Sequence, residues 1–378
     1  MTLSDGLHNS LKEHLQWNKA RLTCFVGLIL ALLRVQRMDL SKLAIAMGGQ
    51  TKDTSRYRRL QRFFAEVTFD YDALAQMIMD WFDFNSGSFY LTLDRTNWKW
   101  GKSNLNFLVL AVVYKGAAIP LYWIVLRKQG NSNQSERMTL LLKFINQFGT
   151  SQVRAILGDR EFTGKDWWAW LNRECLPFLM RMKANQHYHH RGKGKPVSTL
   201  FRDLQSGQAR ILRKSREVKG VLVYLSGMRL PTGELLIVAS NQFIPKPIEA
   251  YRFRWQIETL FQCLKGRGFN MEQTRLTDYP RTKKMVALLA IAFCWAHKTG
   301  EWRAAVVKPL SIKNHGRPEK SLFRYGLDYL SDKLMQSVME IQEVARLLAI
   351  LLCPPQWIVV RKSGVNIVET PFKSVRVI

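Results

Sequence analysis

Tyr251, Arg254, Glu258 and Lys265 stand in the run Tyr251-Arg-Phe-Arg-Trp-Gln-Ile-Glu-Thr-Leu-Phe-Gln-Cys-Leu-Lys265 at intervals of three, four and seven. On a continuous helix, at about 100° per residue, they fall within a sector of roughly 60°. Phe253, Ile257, Leu260, Phe261 and Leu264 occupy a neighbouring sector, roughly 180° to 280°, so an apolar stripe lies beside the polar one. A carboxylate next to two permanent cations and a phenol suits a metal ligand working beside a phosphate. Arg254 would grip phosphate oxygens through its planar fork and Lys265 as a point charge, with Tyr251 donating to another oxygen.

Two further carboxylates precede this segment. In Phe89-Tyr-Leu-Thr-Leu-Asp94 the apolar residues alternate, which predicts a strand closing on Asp94; Val153-Arg-Ala-Ile-Leu-Gly-Asp159 predicts another closing on Asp159. Neighbouring strand ends in an open sheet can hold two carboxylates side by side, and Glu258 follows them in the chain. Three converging carboxylates suit two-metal phosphodiester chemistry, with Asp94 bridging and Asp159 and Glu258 completing one ion each. Mg2+ is the expected ion, with Mn2+ a substitute. Glu161 shares the Asp159 face if that strand continues, which leaves an accessory role open. Trp98 and Trp100 read as residues of a turn just past Asp94.

The elements that must position these groups change character along the chain. Apolar spacing of three and four marks helices within Leu7 to Trp17, Leu22 to Leu33, Leu40 to Met47 and Tyr57 to Phe64. The stretch 40–62 has the form helix, glycine turn, basic helix, similar to a helix-turn-helix, and offers Arg56, Arg58, Arg59 and Arg62 to phosphates or base edges. Residues 89–126 then read as a three-strand meander, followed by a helix from Ser135 to Phe148, the Asp159 strand, a tryptophan-rich helix from Gly164 to Cys175 and a strand from Pro177 to Met182. That order is the order of a ribonuclease-H-like α/β layer. Gln186 to Pro196, with His187, His189 and His190, reads as a loop, and Ala209 to Val218, Val221 to Arg229 and Glu234 to Ser240 as short strands of an insertion. Met285 to His297 and Leu330 to Leu352 read as helices; Ile358 to Ile378 alternates in short stretches without a place. The expected organisation is a helical DNA-binding domain at 1–75, a first core part at 76–185, a β-rich insertion at 186–247, core helices carrying the third carboxylate at 248–300, and a C-terminal helical region at 301–378.

Composition narrows the partner. The 378 residues carry 57 Lys and Arg against 29 Asp and Glu, a formal charge of +28, which makes a polyanion such as nucleic acid the expected partner. The longest apolar runs are about 12 to 13 residues, against roughly 20 needed to span a bilayer, so no membrane role is expected. No charged-then-apolar leader pattern opens the chain, so the expected location is the cytoplasm, on the nucleoid when bound to DNA. Five cysteines are scattered singly with no C-x-x-C pair, and all five are expected to be reduced core residues.

The spacing Tyr-x2-Arg-x3-Glu-x6-Lys at Tyr251, Arg254, Glu258 and Lys265 resembles the signature of bacterial insertion-sequence transposases of the DDE class, cut-and-paste subgroup. Leu91-Thr-Leu-Asp-Arg-Thr-Asn-Trp98 is similar to that family's first-aspartate strand and Leu157-Gly-Asp-Arg-Glu-Phe162 to its second. The resemblance spans roughly residues 40 to 300. It implies a ribonuclease-H-like core, Mg2+ held by Asp94, Asp159 and Glu258, an N-terminal domain that binds transposon ends, and a homodimer that pairs two ends of double-stranded DNA. It also implies a hairpin route, in which a 3′-hydroxyl freed by nicking attacks the opposite strand. Relatives stack a flipped base on a tryptophan from the insertion. No Trp occurs here between Lys183 and Tyr251, so Tyr224, Tyr188, Trp255 or Trp98 would serve instead. Two rivals are a DNA-binding regulator with a silent nuclease and another ribonuclease-H-like nuclease.

Overall fold

The computed structural model describes residues 2–190, 193–314, 316–336 and 339–355; the alternating stretch from Ile358 to Ile378 lies outside them. The chain divides into two compact units. One comprises residues 1–84, 98–105 and the chain from Phe261 onward; the other comprises 85–97 and 106–260.

The first unit opens with helices α1 (Leu3–His14), α2 (Lys19–Val35), α3 (Leu40–Ala46), α4 (Asp53–Glu66) and α5 (Tyr71–Phe82). Their starts follow local chemistry: Thr2 and Asp5 form a capping box at α1, and Asn18 and Asp70 accept backbone N–H bonds at α2 and α5. Trp17, Phe25, Phe63 and Phe69 pack edge-to-face and stacked, with centroids 4.8–5.9 Å apart, tying α2 to α4.

The second unit is a mixed sheet with its covering helices. Its elements are β1 (Phe89–Trp100), β2 (Ser103–Tyr114), β3 (Ala117–Leu126), α6 (Gln134–Phe148), β4 (Val153–Gly158), α7 (Lys165–Arg173), β5 (Phe178–Met182), β6 (His187–His190), β7 (Lys193–Pro196), β8 (Ala209–Ile211), β9 (Arg216–Val218), β10 (Val221–Arg229), β11 (Leu235–Ser240), α8 (Pro247–Arg252) and α9 (Trp255–Leu264), of which the end of β1, the start of β2 and the end of α9 belong to the first unit. The strand order is β3-β2-β1-β4-β5-β11-β10-β9-β6-β7, with β8 pairing β10. β1, β4 and β5 are parallel, whereas β2 to β3 and β5 to β11 to β10 are antiparallel. The meander and the parallel strands are thus as expected. The 186–196 stretch is different: it forms the hairpin β6–β7, pairing Tyr188 with Lys195, and Tyr188 is buried. One apolar side chain in a polar run was enough to turn a face inward.

Helix α8 lies on the sheet through Ile248, Ala250 and Tyr251, which pack with Ala155 and Leu157 of β4, Leu179 of β5, and Leu236 and Val238 of β11. Gln256 of α9 accepts from the backbone N–H of Tyr114 at 3.0 Å, and Phe253 packs against Tyr90 of β1. The stretch from Ile248 to Gln256 is therefore pinned over the strands that carry the two aspartates.

The chain then returns to the first unit with α10 (Tyr279–Trp302), α11 (Leu322–Met335) and α12 (Ile341–Leu352). A single helix was expected over 330–352; the chain instead breaks between α11 and α12. α10 is buried on all sides from Met285 to Trp302. It crosses α11 at Gly300 and Gly326, where an added Cβ would lie 1.8 Å from the Leu322 carbonyl oxygen or 1.9 Å from that of Ala296. The N-terminal and C-terminal helices, separate domains by sequence pattern, thus share one core. Lys298 binds them: burial pulls its pKa down to about 7, yet Nζ donates to the carbonyls of Trp81, Leu351 and Cys353 at 2.5–2.7 Å, three acceptors for the three donors of an ammonium. Cys24, Cys263 and Cys294 are buried, but Cys175 and Cys353 are exposed, since both sit just past helix ends rather than on an apolar face. Among the described residues, no helix is long and apolar enough to cross a membrane.

Candidate active site

Register sets the first pair. Thr92 of β1 lies beside Leu157 of β4, and Leu93 beside Gly158, so the next step along these parallel strands brings Asp94 and Asp159 side by side. Adjacent strands run about 4.8 Å apart, close enough for the two carboxylates to repel. β4 ends at Gly158 as expected, but β1 does not end at Asp94; it continues to Trp100. Trp98 and Trp100 are strand residues rather than turn residues. Thr96 and Trp98 are buried whereas Asn97 and Lys99 are exposed, the alternation of a strand. Gly158 is tightly enclosed, since a Cβ there would come 2.5 Å from the Met180 sulfur and 3.0 Å from Phe162, and the Met180 side chain would have to shift.

The helix expected over 251–265 is broken. Phe253 and Arg254 form a turn between α8 and α9, with Phe253 and Arg254 N–H bonding three residues back, to Ala250 and Tyr251. Phe253 is consequently 43% exposed although it belongs to the predicted apolar stripe, while Ile257, Leu260 and Leu264 are buried. The break aims Arg254 inward. Its guanidinium donates to Asp94 Oδ2 at 2.9 Å and to Glu258 Oε1, and its side chain is only 10% exposed. Asp94, Glu258 and Arg254 therefore meet, and Asp159 stands beside them.

The electrostatics of this group are unfinished. Burial, partly offset by Arg254 and reinforced by Asp159 and Glu258, pushes the Asp94 carboxyl up to about 7. Burial likewise raises the Tyr251 phenol to about 12; its hydroxyl is buried with no hydrogen-bond partner. Two carboxylates thus share one buried guanidinium, and a third, Asp159, stands beside them at the end of the next strand. Among the described residues no three acidic, histidine or cysteine side chains are gathered closely enough to hold one ion, because Arg254 stands between Asp94 and Glu258. The donor chemistry nonetheless fits a hard divalent cation, since all the candidate ligands are carboxylate oxygens and their mutual repulsion favours positive charge. Lys265, the fourth residue of the spacing, belongs to the helical unit and pairs with Glu272 at 2.8 Å.

Glu161 is not on the Asp159 face of a continuing strand. It sits in a 3-10 turn, Arg160–Phe162, that Asp159 caps by accepting the Glu161 N–H at 2.8 Å. Its carboxylate accepts from Arg95 Nε at 2.7 Å and from the N–H and hydroxyl of Ser132 at 2.7 and 2.6 Å, with Arg137 behind at 3.8 Å. Arg95 also reaches Asn106 and Asn131. Sequence reasoning missed this network; the signal was that Asp94 and Asp159 are each followed by Arg, with only one of the two, Arg95, turned inward.

Of the aromatic residues considered for base stacking, Trp255 is 61% exposed and borders the site, with the Arg254 guanidinium 5.8 Å from its ring. Tyr224 packs edge-on to Phe243, Tyr188 is buried, and Trp98 is buried within the helical unit. At the helix-turn-helix candidate, Gly48 and Gly49 take φ of 64° and 92° between α3 and α4. Arg58, Arg59 and Arg62 are exposed, whereas Arg56 folds back onto the carbonyls of Ala44, Gly49 and Thr51 and holds the turn. His187 and His189 are exposed strand residues.

A parallel strand pair that sets two aspartates side by side, with Glu258 reaching them from a helix, defines an α/β protein with a carboxylate site. The transposase DDE domain family matches residues 76–295, and the chain belongs to that family. No curated protein matches it. Among solved structures, it is similar to a piggyBac transposase in a synaptic complex with hairpin DNA, at 10% identity and a TM-score of 0.44, over 92% of this chain and 82% of that one.

Proposed function

We propose that this protein is a bacterial insertion-sequence transposase that binds the terminal inverted repeats of its element, then cuts and joins DNA by a cut-and-paste route. The observation that carries this reading is the register that sets Asp94 beside Asp159 inside the family-matched segment, with Glu258 reaching the same place from α9. The order β3-β2-β1-β4-β5, with β1, β4 and β5 parallel, supports a ribonuclease-H-like core, and the remaining strands are the insertion between β5 and α8. The Tyr-x2-Arg-x3-Glu-x6-Lys spacing supports assignment to the cut-and-paste subgroup.

Asp94, Asp159 and Glu258 would hold two Mg2+ ions, or Mn2+ in their place, which when bound activate the attacking oxygen and stabilise the leaving one. Arg254 holds Asp94 and Glu258 in place and offers its guanidinium to a DNA phosphate. Tyr251 brings a buried hydroxyl free to donate to a phosphate oxygen, and Lys265 adds a third phosphate contact. Arg58, Arg59 and Arg62 suit the phosphates or base edges of the ends. Trp255 is the favoured stacking surface for a base flipped out of a hairpin intermediate, because of its exposure beside Arg254. The active form is a homodimer pairing two ends, cytoplasmic and nucleoid-bound when on DNA.

Mg2+-dependent nicking and strand transfer are measured on linear DNA carrying the native ends. Asp94→Asn, Asp159→Asn and Glu258→Gln are each expected to remove both activities while end binding persists. Cleavage retained in any one of them would sink the site assignment.

A further inference from the structure

Residues 308–320, between α10 and α11, carry Lys308, Lys313, Arg317 and Lys320 against one carboxylate of their own, Glu319, which lies 3.9 Å from Lys313, while Lys320 pairs with Asp328 of α11 at 2.9 Å. The described residues on either side of position 315 fold back on one another as a short ribbon with one bridge. Ile312 bridges Pro318, Lys313 N–H donates to the Arg317 carbonyl at 2.9 Å, Glu319 N–H donates to the Ser311 carbonyl at 2.9 Å, and Gly316 takes φ 76°. The described residues from Ser311 to Lys320 are all exposed.

The foot of the ribbon is built rigidly. α10 ends in a π-helical turn, Arg303–Val307, a distortion frequent at functional positions. Arg303 lies 4.1 Å over the Tyr325 ring and 5.1 Å from that of Tyr329, and the Tyr325 hydroxyl donates to the Lys308 carbonyl at 3.1 Å. Arg303 Nε is buried with no hydrogen-bond partner, beside a cavity of about 240 Å³ lined by Lys308, Ser311, Lys320 and Tyr325. Aliphatic side chains are also left in solvent here: Ile312 at 61%, Val306 at 56% and Val307 at 55%.

We propose that this ribbon is a second duplex-DNA contact, distinct from α3 and α4. The major groove admits a two-stranded ribbon, cations at its rim meet phosphates, and an exposed aliphatic side chain suits a thymine methyl. A second copy of the chain fits poorly. A twofold contact would set the same four cations against themselves, in a chain of charge +28. The inference rests on the transposase reading only in taking DNA as the partner.

The test is binding of the full chain to a short fluorescent duplex of random sequence, measured against salt concentration. Lys313→Ala with Arg317→Ala is expected to raise Kd several-fold and to make the log–log salt slope shallower by about 1.8, at about 0.9 per lost phosphate contact. Lys12→Ala with Lys19→Ala, two exposed cations elsewhere in the helical unit, is the charge-matched control and is expected to leave the slope unchanged. An unchanged slope in the ribbon pair, an equal change in the control pair, or lost self-association with DNA binding intact would each overturn the proposal. Lys313→Gln with Arg317→Gln repeats the measurement should the alanine pair lower Tm. Cleavage is scored separately: a wild-type chain that never cuts DNA, yet shows the ribbon effect, would overturn the transposase reading and leave the ribbon standing.

Discussion

Two groups of buried charge gather at the same ends of β1 and β4, and they are opposites. Around Glu161 the bonding is complete: Arg95, the Ser132 N–H and hydroxyl, and Arg137 surround one carboxylate, and Arg137 also donates to the Ser132 hydroxyl and carbonyl. Around Arg254 it is incomplete, with two carboxylates on one guanidinium, the Asp159 carboxylate beside them, and a tyrosine hydroxyl bonded to nothing. A finished network needs no visitor and fixes position. An unfinished one carries a standing cost that a cation and a phosphate would remove. The two meet at Asp94 and Asp159, which accept the backbone N–H of Arg95 and of Glu161 and so join the finished side.

Breaking the finished side has the largest expected effect on stability. Glu161→Ala leaves Arg95 and Arg137 buried without their shared carboxylate, and a loss of about 3–5 kcal/mol is expected. Denaturant unfolding measures it; a loss under about 1 kcal/mol would mean the network is not the brace described here.

The unfinished side predicts the reverse sign. Asp94 titrates near 7 in the fold against about 3.8 unfolded, so between those values the native state binds the extra proton. Stability contributed by protonated Asp94 is fully present below the unfolded value and is lost as pH rises through about 7. Asp94→Asn should therefore flatten the fall of Tm between pH 4 and 7 and melt above wild type at pH 8. Parallel Tm curves for the two proteins would contradict the assigned environment. The smallest effect is Tyr251→Phe, which deletes a buried unsatisfied hydroxyl. Stability should hold or rise by about 1 kcal/mol while DNA binding weakens, and a clear drop in stability would show that the hydroxyl has a partner within the fold.

The spacing from Tyr251 to Glu258 and the two alternating strands were readable because burial leaves a period in the sequence. What escaped was whatever interrupts or hides a period. A wheel drawn over 251–265 assumes an unbroken helix, and the turn at Phe253 and Arg254 makes Arg254 a buried counterion while exposing Phe253. Asp94 looked terminal because a charged residue closed an apolar run, although the alternation resumes at Thr96 and Trp98. Helix α5 fell across the expected boundary at residue 75. The Glu161 network joins residues 66 and 29 positions apart, and no local pattern encodes such a pairing. The grouping of the helices was invisible for the same reason.

Lys298 carries that last point into the life of the chain. It fastens the end of α5 at Trp81 to the end of α12 at Leu351 and Cys353. During synthesis the early helices emerge long before their fastener and its second anchor exist. The helical unit closes only after residue 353 has been added, so a chain halted before that point holds the helix-turn-helix candidate on an open core, prone to aggregation and proteolysis.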